Sequence, residues 1–161
     1  MPDAKPSAQP SAQPIVLSDD EAELVATEAE SAARVFGEPR RSEALRLADA
    51  ARHKAVPPEL VGLLGEMLVA SLQAGRARRV HLAEGERVLT GVLRRTPAGK
   101  ELQERLDSLN RALESLSGRR IDQVKAAMRT AGHFTITLTS EGVSLTLVVG
   151  PGGLELESLS A

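Results

Sequence analysis

Apolar positions along this chain recur mainly with a helical period up to about residue 131, except over 76–95, and with a period of two after it. The first helix is marked by Ser18-Asp19-Asp20-Glu21, the spacing of a capping box, with Leu17 before the cap placed to pack on Ala22. It should run from Asp19 to Phe36, with Val25, Ala29, Ala32 and Phe36 on one stripe, and stop at Gly37 with Pro39 beyond. Glu43 to Ala51 has the propensity of a helix, although Leu45 and Leu47 alternate as a strand would. Pro57-Pro58 opens a helix that reaches Gly75, and Leu60, Leu63, Leu64, Met67, Leu68 and Leu72 give it the broad apolar face of a buried element.

From Arg76 to Arg95 the period shortens. Val80 and Leu82, then Val88, Val92 and Leu93, flank Ala83-Glu84-Gly85-Glu86, which predicts a short hairpin. Thr96 caps and Pro97 opens the longest helix, which runs to Leu116 and stops at Gly118. Its Leu102, Leu106, Leu109, Leu113 and Leu116 fall at heptad spacing. About two heptads are too few for a sustained coiled coil, so the stripe serves either an internal seam or a dimer interface. Ile121, Val124 and Met128 then predict a last helix over Arg119 to Ala131. Phe134, Ile136 and Leu138 alternate with threonines, Val143, Leu145 and Leu147 alternate with Ser144 and Thr146, and Leu154 and Leu156 alternate with glutamates. Turns at 140–142 and 150–153 join these runs into a three-stranded antiparallel β-meander. The expected fold class is α+β, mainly helical in the N-terminal two-thirds and ending in the meander. One domain over 17–161 is expected, helical over 17–132 and a sheet over 133–159. It follows a leader over 1–16 whose repeated Pro-Ser-Ala-Gln cannot bury enough surface to order itself.

Composition changes this picture in two ways. Phe36 and Phe134 are the only Phe, Tyr or Trp residues, so the core must be aliphatic, and no Tyr or Trp is present to stack a nucleobase. Charge is sorted: the 1–75 segment has a net charge of −5, 76–129 of +6, and 130–161 of −3, within an overall −2. The basic middle holds the pairs Arg78–Arg79, Arg94–Arg95 and Arg119–Arg120, with Lys125 and Arg129 after them. Such a segment suits a phosphate backbone or an acidic protein surface.

Chemistry for catalysis is sparse. The three histidines, His53, His81 and His133, lie in different segments without metal-ligand spacing, and there is no cysteine for a thiolate site or nucleophile. Gly91 to Lys100 has seven residues between its glycines and a proline inside, which is not a phosphate loop. Gly150 to Gly153 precedes a strand, which excludes a dinucleotide fingerprint. We therefore expect no enzyme, no metal and no cofactor. The cysteine-free composition, the absence of a membrane-length apolar run and the lack of a signal-like N-terminus fit the cytoplasm.

Val56 to Gly75, followed by Arg76-Ala77-Arg78-Arg79-Val80, resembles the N-terminal part of bacterial antitoxin-like proteins that carry an excisionase-type DNA-binding domain. The shared cues are the Pro-Pro helix start, the leucine-rich helix with a Glu-Met-Leu centre, and the Gly-x-Ala-x-x-Val exit, with an acidic helix ahead of them. The likeness covers about residues 18–82, and the helix-turn-helix of those proteins has no counterpart in Glu86 to Leu116. It implies a DNA-linked regulator or a protein that neutralises a toxin partner.

Two function classes follow. The first is a non-enzymatic bacterial regulator that contacts DNA phosphates through Arg78, Arg79, Arg94, Arg95, Arg119, Arg120, Lys125 and Arg129. Arg119 to Ala131 would be its recognition helix and the ribbon behind it a wing. It would be a homodimer joined through Leu102, Leu106, Leu109, Leu113 and Leu116 or through the meander edge. The second is a protein–protein adaptor or assembly factor that self-associates through its acidic and basic segments.

Overall fold

The computed structural model describes residues 13–160, so most of the expected leader lies outside the described residues. The end of that leader does not continue as tail. Ile15–Val16 form strand β1, antiparallel to β2 (Ala55–Val56), and Ile15 and Leu17 are buried. The signal for this was an apolar triplet, Ile15-Val16-Leu17, directly after the last proline.

Helix α1 (Asp19–Val35) begins with the expected capping box. The Glu21 N–H donates to Ser18 Oγ (3.3 Å), and the Ser18 N–H donates to Glu21 Oε2 (2.9 Å). Two backbone donors that a helix start leaves orphaned are thereby satisfied. α2 (Arg40–Arg52) confirms propensity over alternation: Leu47 is buried and Leu45 half exposed. α3 (Pro58–Gln73) is central, burying Leu60, Val61, Leu64, Met67 and Leu68.

The hairpin expected over 76–95 is instead helix α4 (Arg76–Leu93), interrupted at Leu82 (φ 60°, ψ −170°). The alternating Val80 and Leu82 that suggested strands are exposed. The buried positions Gly85, Leu89, Val92 and Leu93 follow helical spacing. Gly85 is where the path demands glycine, because a Cβ there would lie 2.2 Å from the Cβ of His81. A fully buried Thr96 ends this part of the chain; its hydroxyl donates to the Leu93 carbonyl (2.7 Å) and accepts from the Gly99 N–H (3.2 Å).

Contacts divide the chain into two compact units, one ending at Gly99 and one beginning at Lys100. The first is an aliphatic helical core from α1 to α4. The second holds most of helix α5 (Pro97–Glu114) and a sheet of strands β3 (Gln123–Thr130), β4 (His133–Ser140), β5 (Val143–Gly150) and β6 (Gly153–Ser160).

The sheet has four strands rather than three, in the order β3-β4-β5-β6 and antiparallel throughout. The helix expected over Arg119 to Ala131 is a loop followed by β3, paired with β4 through Val124–Leu138, Ala126–Ile136 and Met128–Phe134. Val124 and Met128 are spaced for a helix, but Val124, Ala126 and Met128 are equally spaced for a strand. Ladder pairing with an already alternating β4 decides between them. Ala131-Gly132 is thus a two-residue hairpin turn, with Gly132 at φ 79°, and not a helix stop. Glu141 and Gly142, both at positive φ (44° and 86°), make the next turn in the form that suits strand twist.

Candidate interaction surface

The eight basic residues expected to hold phosphate divide between the two units: Arg78, Arg79, Arg94 and Arg95 in the first, Arg119, Arg120, Lys125 and Arg129 in the second. Several are engaged internally. Arg95 pairs with Glu21 (2.7 Å) and donates to the Val16 carbonyl (2.8 Å), tying α4 to the start of α1. Burial alone would raise the Glu21 carboxyl, but the Ser18 N–H and Arg95 together hold it below its usual range. Arg78 reaches Glu86 (3.5 Å), and Arg129 pairs with Glu157 of β6 (2.7 Å). Arg119 and Arg120 lie in the exposed loop before β3, and Lys125 on β3 itself. None of these three has an ion pair among the described residues. The helix that was to carry the last four into a groove does not exist, so they form no recognition element of that kind.

The leucine stripe is split by the fold. Leu109 and Leu116, with Ala112, are buried against Val143, Leu145 and Leu147 of β5, and Ile136, Leu138 and Leu156 pack around them. Leu102, Leu106 and Leu113 stay exposed. α5 therefore lies over β5, and a depression lined by Arg105, Ser108, Glu155 and Leu156 marks its flank toward β6. An ion pair from Arg105 to Glu155 (3.3 Å) closes that side. At about 100° per residue, Ser108 points some 160° away from Leu106. The exposed leucines thus occupy the other flank, toward β3.

Beneath that flank the sheet is bare. All eight residues of β3 are exposed, among them Val124 (62%) and Met128 (70%), and Phe134 next to Met128 is 44% exposed. Among the described residues of the second unit nine large apolar side chains are exposed (Leu102, Leu106, Leu113, Ile121, Val124, Met128, Phe134, Leu154 and Leu159). Only five are buried (Leu109, Leu116, Val143, Leu145 and Leu147). Single exposed leucines are ordinary, but Leu102, Leu106 and Leu113 on one flank of α5 together with Val124, Met128 and Phe134 below are a grouping of the kind that marks an interaction surface, whereas Leu154 and Leu159 lie apart on β6. Sequence reasoning missed it because a helix over 119–131 would have turned Val124 and Met128 inward.

In the first unit a buried polar cluster, unforeseen from the sequence, joins three helices. Glu28 of α1, 2% exposed, accepts from Ser71 Oγ of α3 (2.6 Å), from Arg76 Nε (3.1 Å) and from His81 Nε2 (2.8 Å) of α4. Burial pushes the carboxyl up, yet the hydrogen bonds from Ser71 and His81 and the charge of Arg76 outweigh it, and Glu28 titrates below its usual range. Both carboxylate oxygens are occupied. Ser71 and His81 each bond to Glu28 and not to one another, so the cluster has the form of a clamp and not of a nucleophile with its base. Among the described residues no group of His, Asp and Glu could hold a metal ion, and no helix is long and apolar enough to cross a membrane.

Comparison with protein-family models, with curated proteins and with solved structures gives no match for this chain.

Proposed function

We propose that this chain is a non-enzymatic protein-binding module whose second unit docks a partner on the apolar face of its sheet. The observation that carries the reading is the excess of exposed over buried large apolar residues in that unit. A sheet with one apolar face needs a covering layer, and here one helix covers only the strands around β5. The leucine flank (Leu102, Leu106 and Leu113) and the β3 floor (Val124, Met128 and Phe134) together leave six large apolar residues between 36% and 70% exposed. The test is the size of the native complex in fresh extract of the source cell. The wild-type chain should run well above its 17.1 kDa mass. A folded Val124→Lys/Met128→Lys chain should run as the free protein; equal migration of the two would end the reading.

A polyanion reading stands beside it on one observation, the exposed Arg119, Arg120 and Lys125, which have no ion pair among the described residues. It supports a regulator that touches nucleic acid from the loop before β3, as the antitoxin-like resemblance suggests. Its test is duplex DNA binding across a salt series, where phosphate contact requires steep weakening with salt.

A further inference from the structure

We infer that the Glu28 carboxylate holds α4 bent, and that the helix straightens through Leu82 when that carboxylate is neutralised. The device lies within the first unit and is independent of the docking surface proposed above. Leu82, at φ 60° and ψ −170°, occupies backbone space that is essentially reserved for glycine. Its side chain is 72% exposed, so packing does not hold it there. The local sequence Val80-His81-Leu82-Ala83-Glu84 has no glycine or proline and prefers an unbroken helix. A tertiary contact therefore overrides that preference. Gly85 carries the mark of the same bend. A Cβ there would lie 2.2 Å from the Cβ of His81, whereas residues four apart in a straight helix keep their Cβ atoms about 5–6 Å apart. Glycine is needed at 85 only while the helix is bent.

The contact that bends the helix is polar. Within the arm 76–81 only Ala77 is buried, and Arg78, Arg79 and Val80 are exposed. Glu28 grips this arm at both ends, through Arg76 Nε (3.1 Å) and through His81 Nε2 (2.8 Å) beside Leu82. It also accepts from Ser71 Oγ (2.6 Å) in the last turn of α3. Among the described residues these are the groups that face the carboxylate from α3 and α4; one turn away on α1 itself, Leu24, Val25, Ser31 and Ala32 carry no charge. A proton on Glu28 removes the anion that Arg76 and His81 share. The arm then lets go and Leu82 returns to helical backbone. Gly75 (φ 63°), with the freed last turn of α3, takes up the movement. Acid is the release signal. The latch is present above the usual carboxylate range and is lost as pH falls through the depressed value at which Glu28 titrates in the folded chain.

The experiment compares the full wild-type chain with Glu28→Gln, which reproduces the neutral carboxyl. His81→Ala, which frees the end of the arm beside Leu82, takes its place if Glu28→Gln does not fold. Hydrogen exchange followed by NMR reads the amides just after Leu82. In the bent helix they have no carbonyl one turn back and should exchange freely. In the released chain they should slow by at least about tenfold, as the straight helix pairs them. Gly85→Ala gives the second readout. It should lower the urea midpoint of the wild type and raise that of the released chain, because alanine is favoured once the collision with His81 is gone. Equal or faster exchange after Leu82 in the released chain would overturn the inference, since the arm would then fray without straightening. Amides already protected there in the wild type would overturn it as well. So would a Gly85→Ala effect of the same sign in both backgrounds.

Discussion

Val124 and Leu138 stand directly opposite each other across the β3–β4 ladder, on the same face of the sheet, yet only Leu138 is covered. Val124 is 62% exposed, while Leu138 packs against the cluster under α5. The edge of the covering layer falls between these two residues, and the proposed function depends on where that edge lies.

Substitution on the uncovered side should be nearly free of cost to the isolated protein. Val124→Lys and Met128→Lys each remove apolar surface that already faces water, so stability should change by no more than about 0.5 kcal/mol. Urea denaturation of each variant checks this; a loss of several kcal/mol would mean the face is already covered.

On the covered side the same chemistry should be costly. Leu145 is fully buried between α5 and the sheet, and Leu145→Ala should destabilise the second unit by about 2–4 kcal/mol. Hydrogen exchange resolves the unit: amides of 123–160 should lose protection while those of α1 and α3 keep theirs.

The Glu28 clamp predicts an acid-sensitive first unit. Because the folded carboxyl titrates below its unfolded value, its contribution is present above the unfolded value and fades as pH falls through the folded one. Glu28→Gln should cost about 2–4 kcal/mol at neutral pH, by leaving Arg76 and His81 without their anion. It should also flatten the acid limb of the stability curve. Thermal melts of both proteins from pH 3 to 7 measure the difference.

Gly85 tests the break in α4. A methyl group there collides with His81, whose imidazole is held by Glu28, so Gly85→Ala should destabilise by about 1–3 kcal/mol, against the usual helix preference for alanine. A gain in stability, read by urea denaturation, would show a straight helix through Leu82.

If the loop before β3 touches nucleic acid, Arg119→Ala/Arg120→Ala should weaken duplex binding on every sequence and lower the salt slope by about 2. An unchanged slope removes these arginines from any phosphate contact. Anisotropy with labelled DNA provides the readout, since the chain has no Trp or Tyr.

Where local signals agreed, the fold was legible from residues alone. The capping box fixed the start of α1, proline pairs and leucine spacing fixed α3, and strict alternation fixed β4 and β5. Two segments were misread because their apolar residues suit two periods at once. Val80 and Leu82 alternate on a helix surface that breaks at Leu82, and Val124 and Met128 fit a helix until β4 pairs with them. The interaction surface was hidden by the second error. The Glu28 clamp was hidden for another reason: its members come from helices 43 to 53 residues apart in sequence, and no local spacing announces them.

The central claim is that the bare face over β3 meets a protein partner. The most direct measurement places a photo-crosslinking amino acid at position 128 in the source cell, with position 46 on α2 as control. A discrete adduct at 128, absent at 46 and lost when Val124 is also changed to Lys, is the expected result. Equal or absent crosslinking at the two positions would contradict it.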